Sequence, residues 1–285
     1  MDNIYTEIPG YLLFSVKKIN INNIEINYAD AGQGYPLIFI HGWTNNWMGF
    51  IPLGKYLMKY FRVILIDLPG YGDSGRLKNY SLDIMCHYLH GFINKLGLKQ
   101  FSLVGHSIGT FVVSAYYRLY PQDAEKLVLI GPVIRKKRRF FFFINKLFFE
   151  LIKKSDKLKM LLKSLIDCKA WAYLIAKHIN MYRFDQKLID YYGMVGKKKM
   201  SKEVYAELGA EVSGIDIEDQ VRNISAPVLM LFGKYDKITC MEEVESCMDY
   251  SGNINFAVID KAGHIVTVEK PKETAEAIKK FILNN

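Results

Sequence analysis

Three residues of this chain have the types and the order that nucleophilic catalysis requires: Ser107, Asp236 and His264. Ser107 stands in Gly105-His106-Ser107-Ile108-Gly109, between the apolar run 101–104 and a helix-like segment from Thr110 to Tyr120 that Pro121 stops. A serine on a sharp strand-to-helix turn has its hydroxyl pushed out above the sheet edge. Glycines flank such a turn because strand and helix approach too closely there for larger side chains. The hydroxyl is a weak nucleophile at neutral pH, so it needs a base, and the base needs a carboxylate to hold its tautomer. His264, in Lys261-Ala262-Gly263-His264, is the candidate base, and Asp236, in Lys234-Tyr235-Asp236-Lys237, is the candidate acid. Asp260 competes for the acid's place but lies only four residues before His264, whereas Asp236 comes just after a strand-like run of its own. The chemistry this set can perform is attack on a carbonyl carbon.

The elements that must position these residues are legible in the hydrophobic pattern. Strand-like runs are expected near 11–17, 23–30, 36–40, 62–67, 101–105, 126–130, 227–232 and 254–259. Helical patterns fall near 47–60, 81–96, 108–120, 240–249 and 271–283. Such alternation predicts a mainly parallel sheet covered on both faces, with the first two strands pairing antiparallel at one edge. Each candidate residue lies just past the C-terminal end of a strand, where open α/β sheets place their sites. From about 133 to 205 strand signals vanish and helical ones take over. We expect a core of 1–132 and 206–285, with 133–205 inserted as a helical cap over the catalytic edge.

On these residues the chain resembles the α/β-hydrolase superfamily over almost its whole length outside the insert. His41-Gly42-Trp43, after Pro36 to Ile40, resembles the oxyanion segment of that family. Asp67-Leu68-Pro69-Gly70-Tyr71-Gly72-Asp73-Ser74 resembles a turn with a structural role, and Gly263-His264 followed by Glu269-Lys270-Pro271 resembles the C-terminal signature. The resemblance implies an eight-stranded, mostly parallel sheet flanked by helices, with an all-helical cap. It also implies an oxyanion hole formed by the backbone N–H groups of Trp43 and Ile108, supported by His41 and Gly42. Gly105, His106 and Gly109 would form the nucleophile elbow, with the His106 ring turned away from Ser107.

The activity expected from the resemblance is hydrolysis of carboxylic esters through an acyl-serine, on medium- or long-chain acyl or monoacylglycerol-like substrates. A serine at the nucleophile position argues against haloalkane dehalogenases and epoxide hydrolases, which carry aspartate there. C–C bond hydrolases and cofactor-free haloperoxidases or perhydrolases use the same triad and stay open as alternatives. So does a ligand-binding module on the same fold, because fold alone never establishes activity.

Composition narrows the partners. The chain has 285 residues, 50% hydrophobic and 24% charged, with a net charge of +9. The basicity is local: residues 133–200 hold 18 Lys/Arg and 5 Asp/Glu, a net of +13, which leaves −4 for the rest. Arg135-Lys136-Lys137-Arg138-Arg139 runs directly into Phe140-Phe141-Phe142-Phe143-Ile144, and apolar residues recur at helical spacing to Ile152. A basic cluster beside an aromatic helix suits an anionic membrane surface; the same rings could equally line an acyl pocket. No nucleic-acid motif, nucleotide-binding glycine loop or metal-ligand spacing is present, so neither nucleic acid, cofactor nor metal is expected. Four scattered cysteines and no leader-like start predict free thiols in the cytoplasm, with contact at the inner face of the membrane through 135–152.

Overall fold

A computed structural model describes residues 4–134, 139–239, 241–245 and 252–284. Its centre is an eight-stranded sheet: β1 (Ser15–Ile21), β2 (Ile24–Ala31), β3 (Pro36–Ile40), β4 (Arg62–Ile66), β5 (Ser102–His106), β6 (Lys126–Ile130), β7 (Val228–Gly233) and β8 (Ile254–Ile259). The spatial order is β1-β2-β4-β3-β5-β6-β7-β8. β1 pairs antiparallel with β2 at one edge and β2 antiparallel with β4, while every pairing from β4 to β8 is parallel. The central strands are apolar on both faces because both faces are covered. Ile38, Ile40, Ile64 and Leu103 face α2 (Leu82–Lys95) and α3 (Ile108–Leu119), whose Met85, Leu89, Phe92, Phe111 and Tyr116 complete that half of the core. Leu37, Phe39, Val63, Leu65 and Val104 face the opposite layer, formed by α1 (Ile51–Leu57) and a C-terminal helix at Pro271–Leu283.

One expected strand is corrected. The run 11–17 begins as a 3-10 turn at Tyr11–Leu13, and extended structure starts only at Ser15. Tyr11 is drawn in against Trp47, with ring centroids 5.4 Å apart, while Leu12 and Leu13 stay exposed, so apolar content there reflects one anchoring contact rather than a ladder. Helix α1 is likewise preceded by a separate 3-10 turn at Trp47–Phe50, where one helix was expected over 47–60.

Between β6 and β7 the described chain is helical: α4 (Arg139–Ile152), α5 (Asp156–Asp167), α6 (Lys169–Ile175), α7 (Gln186–Tyr192), α8 (Met194–Lys199), α9 (Lys202–Val212) and α10 (Ile217–Val221), with a π-turn at Ala176–Asn180 after α6. The boundary expected at 205 falls within α9, whose Glu207 and Glu211 accept the backbone N–H groups of Tyr80 and Leu82 in the core. After β7 come α11 (Met241–Glu245), α12 (Val266–Glu269) and α13 (Pro271–Leu283). Arg135, Lys136, Lys137 and Arg138 lie outside the described residues, as do Cys240 and Cys247; Cys86 and Cys168 are free thiols.

Candidate active site

β5 ends at His106 and α3 begins at Ile108, so Ser107 alone makes the turn, at φ 54° and ψ −117°. A non-glycine residue held in such a region costs about 1–3 kcal/mol and persists only where its surroundings over-determine it. Here Ser107 N–H donates to Ile130 O (2.8 Å), and Ser107 O accepts from both the N–H and the hydroxyl of Thr110 (2.9 and 2.6 Å). The close approach expected around the elbow is real: a Cβ on Gly105 would lie 2.5 Å from Gly109 O, and one on Gly109 would lie 2.3 Å from Ile40 O.

The structure brings Ser107, His264 and Asp236 into one hydrogen-bonded chain. His264 Nε2 lies 2.9 Å from Ser107 Oγ, and His264 Nδ1 lies 2.8 Å from Asp236 Oδ2. The carboxylate assigns the tautomer: Nδ1–H donates to Asp236, leaving the Nε2 lone pair to accept from the serine hydroxyl. Burial pushes the Asp236 pKa up, but the His264 charge and hydrogen bond, with the N–H groups of Ile238 and Thr239, hold it below the ordinary carboxylate value. Asp236 Oδ1 takes those two N–H groups at 2.7 and 3.1 Å. Asp260, the competing acid, is instead exposed and paired with Lys234 at 3.6 Å.

The remaining expected residues surround this chain. Gly42 packs against His106 and Ser107, where a Cβ would lie 3.1 Å from His106 Nδ1. His41 is buried; its Nδ1–H donates to Gly42 O (2.9 Å) and its Nε2 accepts from Leu68 N–H (3.2 Å), a bracing role in its own loop. Burial pushes the His41 pKa down to about 4, against the Gly42 hydrogen bond. The His106 ring turns away from Ser107 and donates through Nε2 to His264 O at 3.0 Å. Its pKa is also down to about 4, first through burial and then through His264. Among the described residues the N–H groups of Trp43 and Ile108 donate to no acceptor, as an oxyanion hole demands. The Trp43 ring stacks on Tyr205 of α9 (centroids 4.4 Å, 14°) and leans on Phe149 of α4 (5.0 Å), so α4 and α9 cover the segment expected to form the oxyanion hole with aromatic rings.

Sequence reasoning missed three supports, Gly131, Thr239 and Asn180, and named Glu269 in the C-terminal signature without its partners. Gly131, past β6, sits at φ +57° beneath the imidazole, where a Cβ would meet His264 Cε1 at 3.1 Å. Thr239 donates its hydroxyl to Pro132 O (2.8 Å) and so ties the acid's loop to the strand before it. Asn180 O accepts from His264 N–H and Ile265 N–H (2.8 and 3.2 Å). Glu269 accepts from Gly263 N–H and Tyr182 N–H, both at 2.8 Å, and fastens the insert to the histidine's loop. The Gly131-Pro132 pair carried the local signal of a turn, and Glu269 that of the C-terminal signature. A cavity of about 840 Å³ between α4, α9 and the core is lined by charged residues such as Lys146, Glu150, Glu207 and Glu211 and touches none of the triad.

A strained serine elbow feeding a buried His–Asp pair at the carboxyl edge of this sheet defines a class, and the family model agrees. The model described as the alpha/beta hydrolase fold matches residues 35–271, and the chain belongs to that family. A 2-hydroxy-6-oxo-6-(2'-aminophenyl)hexa-2,4-dienoic acid hydrolase of Metapseudomonas resinovorans is 24% identical over 277 residues, 93% of this chain and 89% of that protein. Human monoacylglycerol lipase ABHD6 is 23% identical, over 88% of this chain and 76% of its own length. A thermophilic esterase from Thermogutta terrifontis shares the fold with a TM-score of 0.75 at 23% identity, covering 94% of this chain and 98% of its own. Among the described residues no helix is long and apolar enough to cross a membrane.

Proposed function

We propose that the protein is a serine hydrolase that cleaves carboxylic esters through an acyl-serine intermediate. The observation that carries this reading is the hydrogen-bonded chain from Asp236 through His264 to the strained Ser107. In the first step His264 Nε2 takes the Ser107 proton as Oγ bonds the carbonyl carbon, and Asp236 stabilises the imidazolium. The N–H groups of Trp43 and Ile108 receive the oxyanion. The alcohol then leaves with the proton from His264, and water, deprotonated by the same imidazole, releases the acid and restores Ser107.

The aromatic roof of Trp43, Phe149 and Tyr205 supports medium- or long-chain acyl groups, or monoacylglycerol-like esters, as substrates. The cap also carries an outer apolar stripe among its lysines, which supports peripheral contact with the anionic inner face of a membrane in the cytoplasm. Hydrolysis of a p-nitrophenyl ester series from acetyl to palmitoyl, with Ser107→Ala in parallel, tests the reading. We expect a chain-length optimum and a fall in kcat of about 10⁶-fold in the variant. A rate independent of Ser107 would overturn it; no hydrolysis of any ester would shift weight to C–C cleavage or ligand binding.

A further inference from the structure

The segment that carries the expected oxyanion donor Trp43 is a tight turn. Asn45 N–H donates to Gly42 O at 3.2 Å and closes it. Gly42 packs against the nucleophile, where a Cβ would lie 3.4 Å from Ser107 Cβ. Helix α8 of the insert rests on this turn: a Cβ on Gly196 would lie 2.6 Å from Asn45 Cα and 2.9 Å from Asn46 N. The next residue, Lys197, donates from Nζ to Thr44 Oγ1 at 3.0 Å. From the other side Gly49, in the 3-10 turn Trp47–Phe50, leaves as little room, since a Cβ there would lie 2.2 Å from Asn45 Nδ2.

Gly196 lies inside α8 and its φ is not positive, so its own backbone does not require glycine. A helix interior favours alanine over glycine; what excludes a side chain here is the close approach of the turn's backbone. Helix α8 is not free to retreat, because its end is fastened to the loop after β4. Lys199 pairs with Asp73, and Ser201 N–H donates to Gly70 O at 2.8 Å. In an interior packed as densely as a crystal, such a contact transmits displacement rather than absorbing it.

We propose that α8 is a positioning clamp for the oxyanion hole, with Gly196 setting the height of the turn 42–45 over Ser107 and Lys197 tying it down through Thr44. The inference rests on the ester-hydrolase reading, in which Trp43 N–H receives the oxyanion. Neither Gly196 nor Lys197 touches the substrate; both act through the turn. The hole is therefore set only while the insert is seated, because withdrawing α8 removes both contacts at once.

The test measures kcat and KM on p-nitrophenyl octanoate, and the affinity for heptyl trifluoromethyl ketone by fluorine NMR. Ser107 Oγ adds to the carbonyl carbon of that ketone, the hydroxyl proton passes to His264, and the carbonyl oxygen becomes an oxyanion in the hole. Gly196→Ala should lower kcat and ketone affinity together by about 10²-fold, with KM within about twofold of the wild type. Lys197→Met adds no bulk to the turn and should lower both about tenfold; it carries the test if Gly196→Ala fails to fold. Gly91→Ala on α2, where a Cβ would meet Ile21 Cγ2 at 2.7 Å, should keep both at the wild-type level. Wild-type kcat in the clamp variant, a fall in kcat without a fall in ketone affinity, or an equal fall in Gly91→Ala overturns the clamp. If the wild type cleaves no ester, the ester-hydrolase reading falls and the ketone alone decides. A weaker adduct in the clamp variants then upholds the clamp; an equal adduct, or none in the wild type, overturns it.

Discussion

At the scale of single residues, two histidines beside the Ser107–His264–Asp236 chain are held neutral by burial. His41 and His106 are both buried, and burial carries each pKa down to about 4. In the unfolded chain each would titrate near about 6.5. Below that pH the unfolded state takes up a proton that the folded state refuses, so stability is lost as pH falls towards the folded pKa. Asp67 works in the opposite sense. Burial raises it to about 7, against the N–H groups of Trp47 and Asp73, so it favours the folded state at the acid end. The whole-protein curve therefore mixes both signs, and a variant difference is needed to isolate one group. His106→Gln keeps an N–H for His264 O and removes the titration. Between about pH 6.5 and 4 the wild type should lose up to about 1.4 kcal/mol more stability per pH unit than the variant. Denaturant unfolding at several pH values measures this, and parallel curves would show that His106 is not held neutral.

At the scale of elements, the distances in the triad are set by loops whose partners are far apart in the chain. Ser107, Asp236 and His264 were legible because each follows a strand and each has the type that the chemistry requires. Strands β3, β6 and β8 and helix α13 were legible to the residue, because apolar runs bounded by turn residues leave few alternatives. The first strand was not, since Tyr11 is apolar for the sake of Trp47 and not of a ladder. Gly131, Thr239 and Asn180 were missed, and so were the partners of Glu269, because their roles exist only once remote loops meet: Asn180 and His264 are joined through backbone atoms alone. Gly131 offers the sharpest test. Alanine there must adopt φ +57° and also push against the imidazole at 3.1 Å. A displacement of about 1 Å at a reacting group costs about 10²-fold in rate. Gly97 provides the control, with φ +67° and nothing within 4 Å of an added Cβ. Both variants should lose about 1–2 kcal/mol of stability from the left-handed backbone. Only Gly131→Ala should lose kcat, by about 10²-fold; equal kcat in the two variants would remove Gly131 from the positioning of His264.

At the scale of the whole molecule, charge and exposed apolar surface coincide. The segment 133–200 carries +13 while the remainder carries −4, so an anionic surface would draw the molecule in cap first. On α4, Phe143, Leu147 and Leu151 recur at i, i+4 and i+8 with Ile144 and Phe148 beside them, and all are about half exposed or more, whereas Phe149 and Ile152 are buried. The phenylalanines thus divide: Phe149 packs under the roof, and Phe143 and Phe148 face outward. On α5, Leu158, Leu161 and Leu165 form a second exposed stripe at i, i+3 and i+7, among lysines. Each basic residue near an anionic bilayer is worth about 1 kcal/mol, and buried apolar side chains add to that. Wild-type protein should therefore co-sediment with vesicles rich in anionic lipid at low salt and be released as salt screens the charge. Leu151→Glu/Leu161→Glu replaces outward side chains, so it should keep its melting temperature yet lose vesicle binding even at low salt. Undiminished binding in that variant would show that these two stripes are not the docking face, and salt-independent binding would remove the electrostatic half of the argument.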